Sequence, residues 1–173
     1  MSSEKKPKFT INTIIFRNSK TAFSDDFDPT IPGIELVGSF RIASQGYLIK
    51  TAQTLDESGG SKDLHIIQYN TTYAFRYQTP EQNQSGNGGI DSKFLVEITA
   101  EIISEYLLNE FIEPPNEYLN IWGGRNVLLH TWPYWREFVQ SSLQKMGLPG
   151  MTMPILPPSF VAPLPAPQAA GTK

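Results

Sequence analysis

The chain has no cysteine and only two histidines, and no apolar run in it approaches the ~20 residues that cross a bilayer. The first absence excludes disulfides and thiolate chemistry. The scarcity of histidine, together with the lack of any C-x-x-C or H-E-x-x-H spacing, leaves no zinc motif, and no metal or cofactor is expected. Charged residues are 18% of the chain and the net charge is −3, so no basic surface calls for nucleic acid. The N-terminal MSSEKKPKF is not followed by an apolar stretch of signal-peptide type. These absences together predict a cytoplasmic protein with no membrane insertion.

What is present is a set of long alternating segments. Phe9 to Ala22 is rich in β-branched residues, with Ile11, Thr13 and Ile15 set against Asn12, Ile14 and Phe16, and reads as a strand. SDDFDPTIPG (24–33) is a loop by its Asp, Pro and Gly content. Phe23, Phe27 and Ile31 serve there either to staple the loop down or to form a binding wall. IELVGSFRIA (34–43) alternates with Ile34, Leu36, Phe40 and Ile42 on one face, breaks at SQG (44–46) and continues to about Leu55. LHIIQYNTTYAFRYQ (64–78) has the clearest period of two, with Ile67, Tyr69, Thr71, Tyr73, Phe75 and Tyr77 on one side. After a flexible loop containing SGNGG (85–89), KFLVEITAEII (93–103) alternates again. The expectation is a four-stranded antiparallel meander.

Beyond Glu113 the period changes. Asn116 can cap a helix, and Leu128, Trp132, Trp135, Val139, Leu143 and Met146 fall on one helical face that Gly147 stops. Pro133 should kink or restart it, giving one interrupted helix over 117–146. From Leu148 onward the prolines forbid a regular helix. The domain division is a polar tail over 1–8, a core over 9–158 and a proline-rich tail over 159–173. The fold class is α+β, with the sheet followed by the long helix.

Catalytic constellations are missing. His65 and His130 have no motif neighbours and read as packed or solvated. SGNGG lacks the Lys-Ser/Thr that would close a phosphate loop, and Asp25, Asp26 and Asp28 lack the further oxygens of a calcium loop. Nothing supplies a nucleophile, its base and an orienting group, so no enzyme is expected.

After four strands the chain gives Asn126-Val-Leu-Leu, then Pro133-Tyr134-Trp135-Arg136-Glu137, a Gly turn and Leu156-Pro157-Pro158. This order resembles the SecB family of protein-export chaperones, whose helix typically reads N-I-L-F-P-Y-A-R-E and is followed by a Gly turn and L-x-P-P. Here His130-Thr131-Trp132 stands where the family has a single Phe. KFLVEI (93–98) is similar to the family's fourth strand, F-L-C-E-V, and the likeness covers roughly residues 8–160.

The resemblance implies an ATP-independent holdase for unfolded or nascent polypeptides, assembled as a homotetramer, a dimer of dimers. It places client binding on Phe23, Phe27 and Ile31 of the first loop, with Met146, Leu148, Met151, Met153, Ile155 and Leu156 after the helix. Flexible methionine and leucine suit a surface that accepts many sequences. Trp132, Tyr134, Trp135, Phe138, Val139 and Leu143 then have two duties to divide, packing on the sheet and contact between subunits. Docking of the SecA motor would use Leu95 and Glu97, but residues 5–23 contain no Asp or Glu to complete the acidic patch. SFVAPLPAP also replaces the family's second helix. The second departure removes the groove wall that this helix makes in the family, and the incomplete docking patch favours an alternative, a dedicated chaperone of an antitoxin in a toxin–antitoxin or phage-defence module. A further alternative is an oligomeric scaffold that has no clients.

Overall fold

In the computed structural model, which describes residues 8–55, 59–84, 93–108 and 116–156, four strands and a long helix form two layers. The strands are β1 (Phe9–Phe23), β2 (Val37–Leu55), β3 (Ser61–Gln78) and β4 (Val96–Leu108), with a short α1 (Pro80–Gln84) between the last two and α2 (Asn116–Lys145) after them. β3 holds a central place because its period-two pattern gives it one side that is apolar except for the buried Thr71. Ile67, Tyr69, Tyr73, Phe75 and Tyr77 are buried there, continuous with Val96, Ile98, Ala100, Ile102 and Tyr106 of β4.

The sheet is antiparallel but its order is β1-β4-β3-β2. The expected meander therefore holds only from β2 to β4, because β1 pairs with β4 and the loop after β1 crosses the end of the sheet. The physical reason lies in β4, whose Ile102, Ile103, Tyr106 and Leu108 are all buried and need a strand on each side. The alternation of β1 also differs from the expectation. Register shifts at Asn12 and Arg17 act as bulges, so Phe9, Ile11, Ile14 and Phe16 share the helix side, opposite Leu108, Tyr106, Ser104 and Ile102.

α2 runs unbroken from Asn116 to Lys145 with Pro133 inside it. The expected interruption does not split the helix because Pro133 and Leu129, whose carbonyl loses its partner, both lie on the exposed side, where water can satisfy that oxygen. One turn earlier the Thr131 hydroxyl donates to the Val127 carbonyl at 2.7 Å. Trp132, Trp135, Val139 and Leu143 are buried against the sheet, as their spacing predicts.

α1 lies in a segment whose composition predicts a loop. Thr79 and Gln82 cap each other, the Gln82 amide N–H donating to Thr79 Oγ1 at 3.3 Å and the Thr79 N–H to Gln82 Oε1 at 3.1 Å. This Thr-x-x-Gln capping box is the signal that could have revealed it. The SGNGG run, Pro157, Pro158 and both chain tails lie outside the described residues.

The core is unusually phenolic. Burial pushes the Tyr73 hydroxyl up to about 12, with a hydrogen bond to Thr131 opposing the shift, and burial likewise raises Tyr69 and Tyr106 well above the ordinary phenol value of 10. The folded chain then keeps protons that the unfolded chain releases above pH 10, so this stability is complete below pH 10 and is lost as pH rises toward 12 and beyond. Urea midpoints measured across that range should fall steeply, and Tyr73→Phe should flatten the decline.

Candidate functional site

A cleft runs between α2 and the outer strand β2. Its sheet wall is the helix-facing row of β2, Gly38, Phe40, Ile42 and Ser44, which the register sets beside Tyr77, Phe75, Tyr73 and Thr71 of β3. Its helix wall carries Gly124, Leu128 and Trp132, at one-turn intervals. Trp132 spans the cleft, with its ring 5.4 Å from Phe40 and 6.4 Å from Tyr73.

One half of this cleft is filled by the chain itself. α2 ends in a Schellman turn, in which Gly147 takes φ +70° and the Leu148 N–H donates to the Leu143 carbonyl at 3.0 Å. The segment from Pro149 to Leu156, which is neither helix nor strand, then lies along the cleft as a strap. The Tyr77 hydroxyl donates to the Pro149 carbonyl at 3.1 Å, and the Trp132 indole N–H donates to the Pro154 carbonyl at 3.0 Å. Met153 is fully buried in the same cluster as Phe75, Trp132 and Trp135. Met151 rests on Gly38, where a Cβ would come within 2.5 Å of its Sδ. The other half, lined by Ile42, Ser44, Tyr69, Thr71, Gly123, Gly124, Val127 and Leu128, is an open cavity of about 180 Å³.

The residues expected to bind clients are thus distributed unevenly. Leu148 and Met153 are buried, Met146, Met151 and Leu156 are half-buried, and Ile155 stands 83% exposed. In the first loop Phe27 is buried in the main cluster with its ring 5.9 Å from Phe23, while Ile31 is 56% exposed. The loop is therefore stapled through Phe27 and presents Ile31 and part of Phe23 to solvent. Of the helix residues, Trp132, Trp135, Val139 and Leu143 pack on the protomer's own sheet, Phe138 covers Phe16 with rings 5.2 Å apart, and Tyr134 is half exposed.

The opposite face of the sheet is mainly polar, although it also carries Ile15, Leu48 and the buried Ile103. β4 sets Glu97, Glu101 and Glu105 in one row, and each has a cation beside it. Arg76 donates to Glu97 through Nε at 2.8 Å and Nη2 at 2.6 Å; Arg17 lies 3.3 Å from Glu101 and Lys50 lies 3.4 Å from Glu105. The Arg76–Glu97 pair is largely buried, whereas the other two are solvated and contribute little. Leu95 is half-buried, and its backbone N–H and C=O bond Tyr77 and Ser24. A depression of about 850 Å³ next to Arg76 is bordered by Gln78, Gln82 and Asn83 together with Phe40, Ala43 and Ala74.

Among the described residues no group of three or more His, Asp or Glu could hold a metal, and no helix is long and apolar enough to cross a membrane. His130 Nδ1 lies 3.0 Å from the Tyr106 hydroxyl, and burial holds the imidazole below its ordinary pKa. Both histidines have polar side-chain neighbours, His65 lying 3.3 Å from Thr51 Oγ1. The cleft offers apolar surface and donors aimed at carbonyls, which is the chemistry of binding a polypeptide. Sequence reasoning missed the two donors, Tyr77 and Trp132, because no local pattern announces which carbonyl an aromatic residue will meet.

No protein-family model matches the chain, and no curated protein matches it in sequence. Among solved structures the chain is similar to a SecB-like chaperone of Mycobacterium tuberculosis in complex with a ChAD peptide from the HigA1 antitoxin. The TM-score is 0.59 at 15% identity, over 86% of this chain and 91% of that one. The four-stranded antiparallel sheet with its long C-terminal helix is thus a SecB-like fold.

Proposed function

We propose that this chain is a holdase chaperone that works without nucleotide, binding unfolded or nascent polypeptide in the cleft between α2 and β2. The observation that carries the reading is the cleft itself, which already accommodates an irregular, proline-containing segment through side-chain donors to its carbonyls and seats for methionine. Such contacts ask for apolar character and an accessible main chain rather than for a particular sequence. The client surface extends to the exposed Ile31 and Phe23.

The working assembly is a homotetramer. Support comes from apolar surface along β1 and the adjoining side of the helix, where Ile11, Phe16 and Tyr134 remain between 38% and 51% exposed in the single chain. A second reading, a dedicated antitoxin chaperone, is favoured by the solved SecB-like chaperone, which holds an antitoxin peptide. A role in export by docking the SecA motor through Leu95 and Glu97 is disfavoured, because Arg76 already engages the Glu97 carboxylate. The work is cytoplasmic in either case.

Dilution of chemically denatured citrate synthase into nucleotide-free buffer tests the reading. The purified protein should suppress light scattering near stoichiometric ratios, and sedimentation should give the mass of four chains. Undiminished scattering at every ratio would sink the chaperone reading. Recovery of one dominant peptide from the native host, against a mixture of precursors, separates the dedicated from the general role.

A further inference from the structure

We infer that the segment Pro149–Leu156 is a built-in substitute for a client, and that polypeptides bind by displacing it. This inference rests on the chaperone reading above and adds to it the regulation of the cleft and the class of segment it accepts.

Three observations meet here. The strap is bound as a foreign peptide would be, through hydrogen bonds to two of its carbonyls, from Tyr77 to Pro149 and from Trp132 to Pro154. Carbonyls are the groups that proline retains, so these contacts tolerate proline in the occupant. Its apolar anchors, Met151 and Met153, sit two residues apart, the spacing at which an extended chain presents side chains to one wall. Finally, the cleft continues beyond the level of Pro154. Pro149 lies at the level of Tyr77 and Gly38, Pro154 at the level of Trp132, and the open cavity continues along the same walls at Ile42, Ser44, Gly124 and Leu128.

An incoming chain can therefore seat an apolar side chain in the empty half and then exchange with the strap step by step. The accepted segment is extended, carries large flexible apolar residues at alternate positions and requires no free N–H at the two donor sites. Strap and client compete, so client affinity falls by the factor with which the strap holds its own seat. A short fragment with one anchor displaces it poorly, whereas a long unfolded chain that fills both halves displaces it well.

The absence of cysteine makes the exchange open to direct control. Gly38→Cys with Met151→Cys joins two positions already in contact and closes the strap as a reversible disulfide, confirmed by mass. The probe is carboxymethylated α-lactalbumin, permanently unfolded and insensitive to reductant. Binding to the oxidised full-length protein should be at least tenfold weaker than to its reduced form. Met153→Ser, which loosens the strap without touching the cavity, should bind about tenfold more tightly than the unaltered chain. Equal binding by the oxidised and reduced forms would overturn the displacement while leaving the chaperone reading intact. Failure of the unaltered chain, the oxidised form and the reduced form alike to bind the probe would remove both.

Discussion

Trp135→Ala is expected to cost about 3–5 kcal/mol of stability, the range for emptying a large aromatic from a packed core. Trp135 is fully buried within one chain and stacks on Tyr73 with centroids 5.3 Å apart, while Phe138 closes over it at 6.0 Å. Of the two duties open to it, packing on its own sheet accounts for all of its surface, and nothing is left for a second subunit to cover. For a chain of this size each kcal/mol moves the melting temperature by about 2–4 °C, so calorimetry at fixed protein concentration should show a fall of roughly 10 °C. The oligomer mass of the surviving folded protein should be unchanged. Trp135→Phe sharpens the test. The Trp135 Nε1 donor is buried and finds no acceptor among the described residues, and an unmet buried donor is itself destabilising by about 1–3 kcal/mol. Phenylalanine removes that donor with the bulk only partly reduced, so its cost should be well under half that of alanine. Equal losses for the two substitutions would mean that the indole N–H has a partner.

The helix stripe and the apolar side of β3 were legible because each depends on periodicity within one segment. Met153 shows where such reading stops. In sequence it stands among prolines in a segment with no regular period, and in the fold it is as buried as Trp135. Its burial is set by Trp132 and Tyr77, which lie more than twenty residues away and act through hydrogen bonds to carbonyls. The pairing of β1 with β4 was hidden for a related reason. Strand order follows from which neighbour completes both sides of β4, and local alternation is blind to that choice. Glu97 matched a strand pattern, but the pattern did not disclose that Arg76 would occupy its carboxylate. Residue type and period thus gave the layers and the helix face, while the contents of the cleft depended on long-range contacts.

The paired glycines in α2 give the most local test of how the helix sits on the sheet. Alanine normally stabilises a helix interior by about 1 kcal/mol over glycine, and Gly123 and Gly124 are adjacent in one helix with no positive φ. On propensity alone both substitutions should help. The structure makes them opposite in sign. A Cβ on Gly123 would lie 2.1 Å from Cε1 of Tyr69, and that ring cannot swing aside. Its hydroxyl donates to the Leu119 carbonyl at 2.9 Å, and Tyr47, Tyr106 and Trp122 surround it with centroids 5.9–6.0 Å away. Gly123→Ala must lift the helix or break that bond, and overpacking of this kind typically costs about 1–3 kcal/mol or more. A Cβ on Gly124 meets nothing within 4 Å, so Gly124→Ala should gain about 0.5–1 kcal/mol. Urea titrations of the two variants should therefore shift in opposite directions from the parent. Because the second methyl group also projects toward the open half of the cleft, its effect on binding of the unfolded probe should be small compared with closing the strap. A stabilising Gly123→Ala would mean that α2 does not rest on Tyr69, and the cleft walls drawn from that contact would have to be moved.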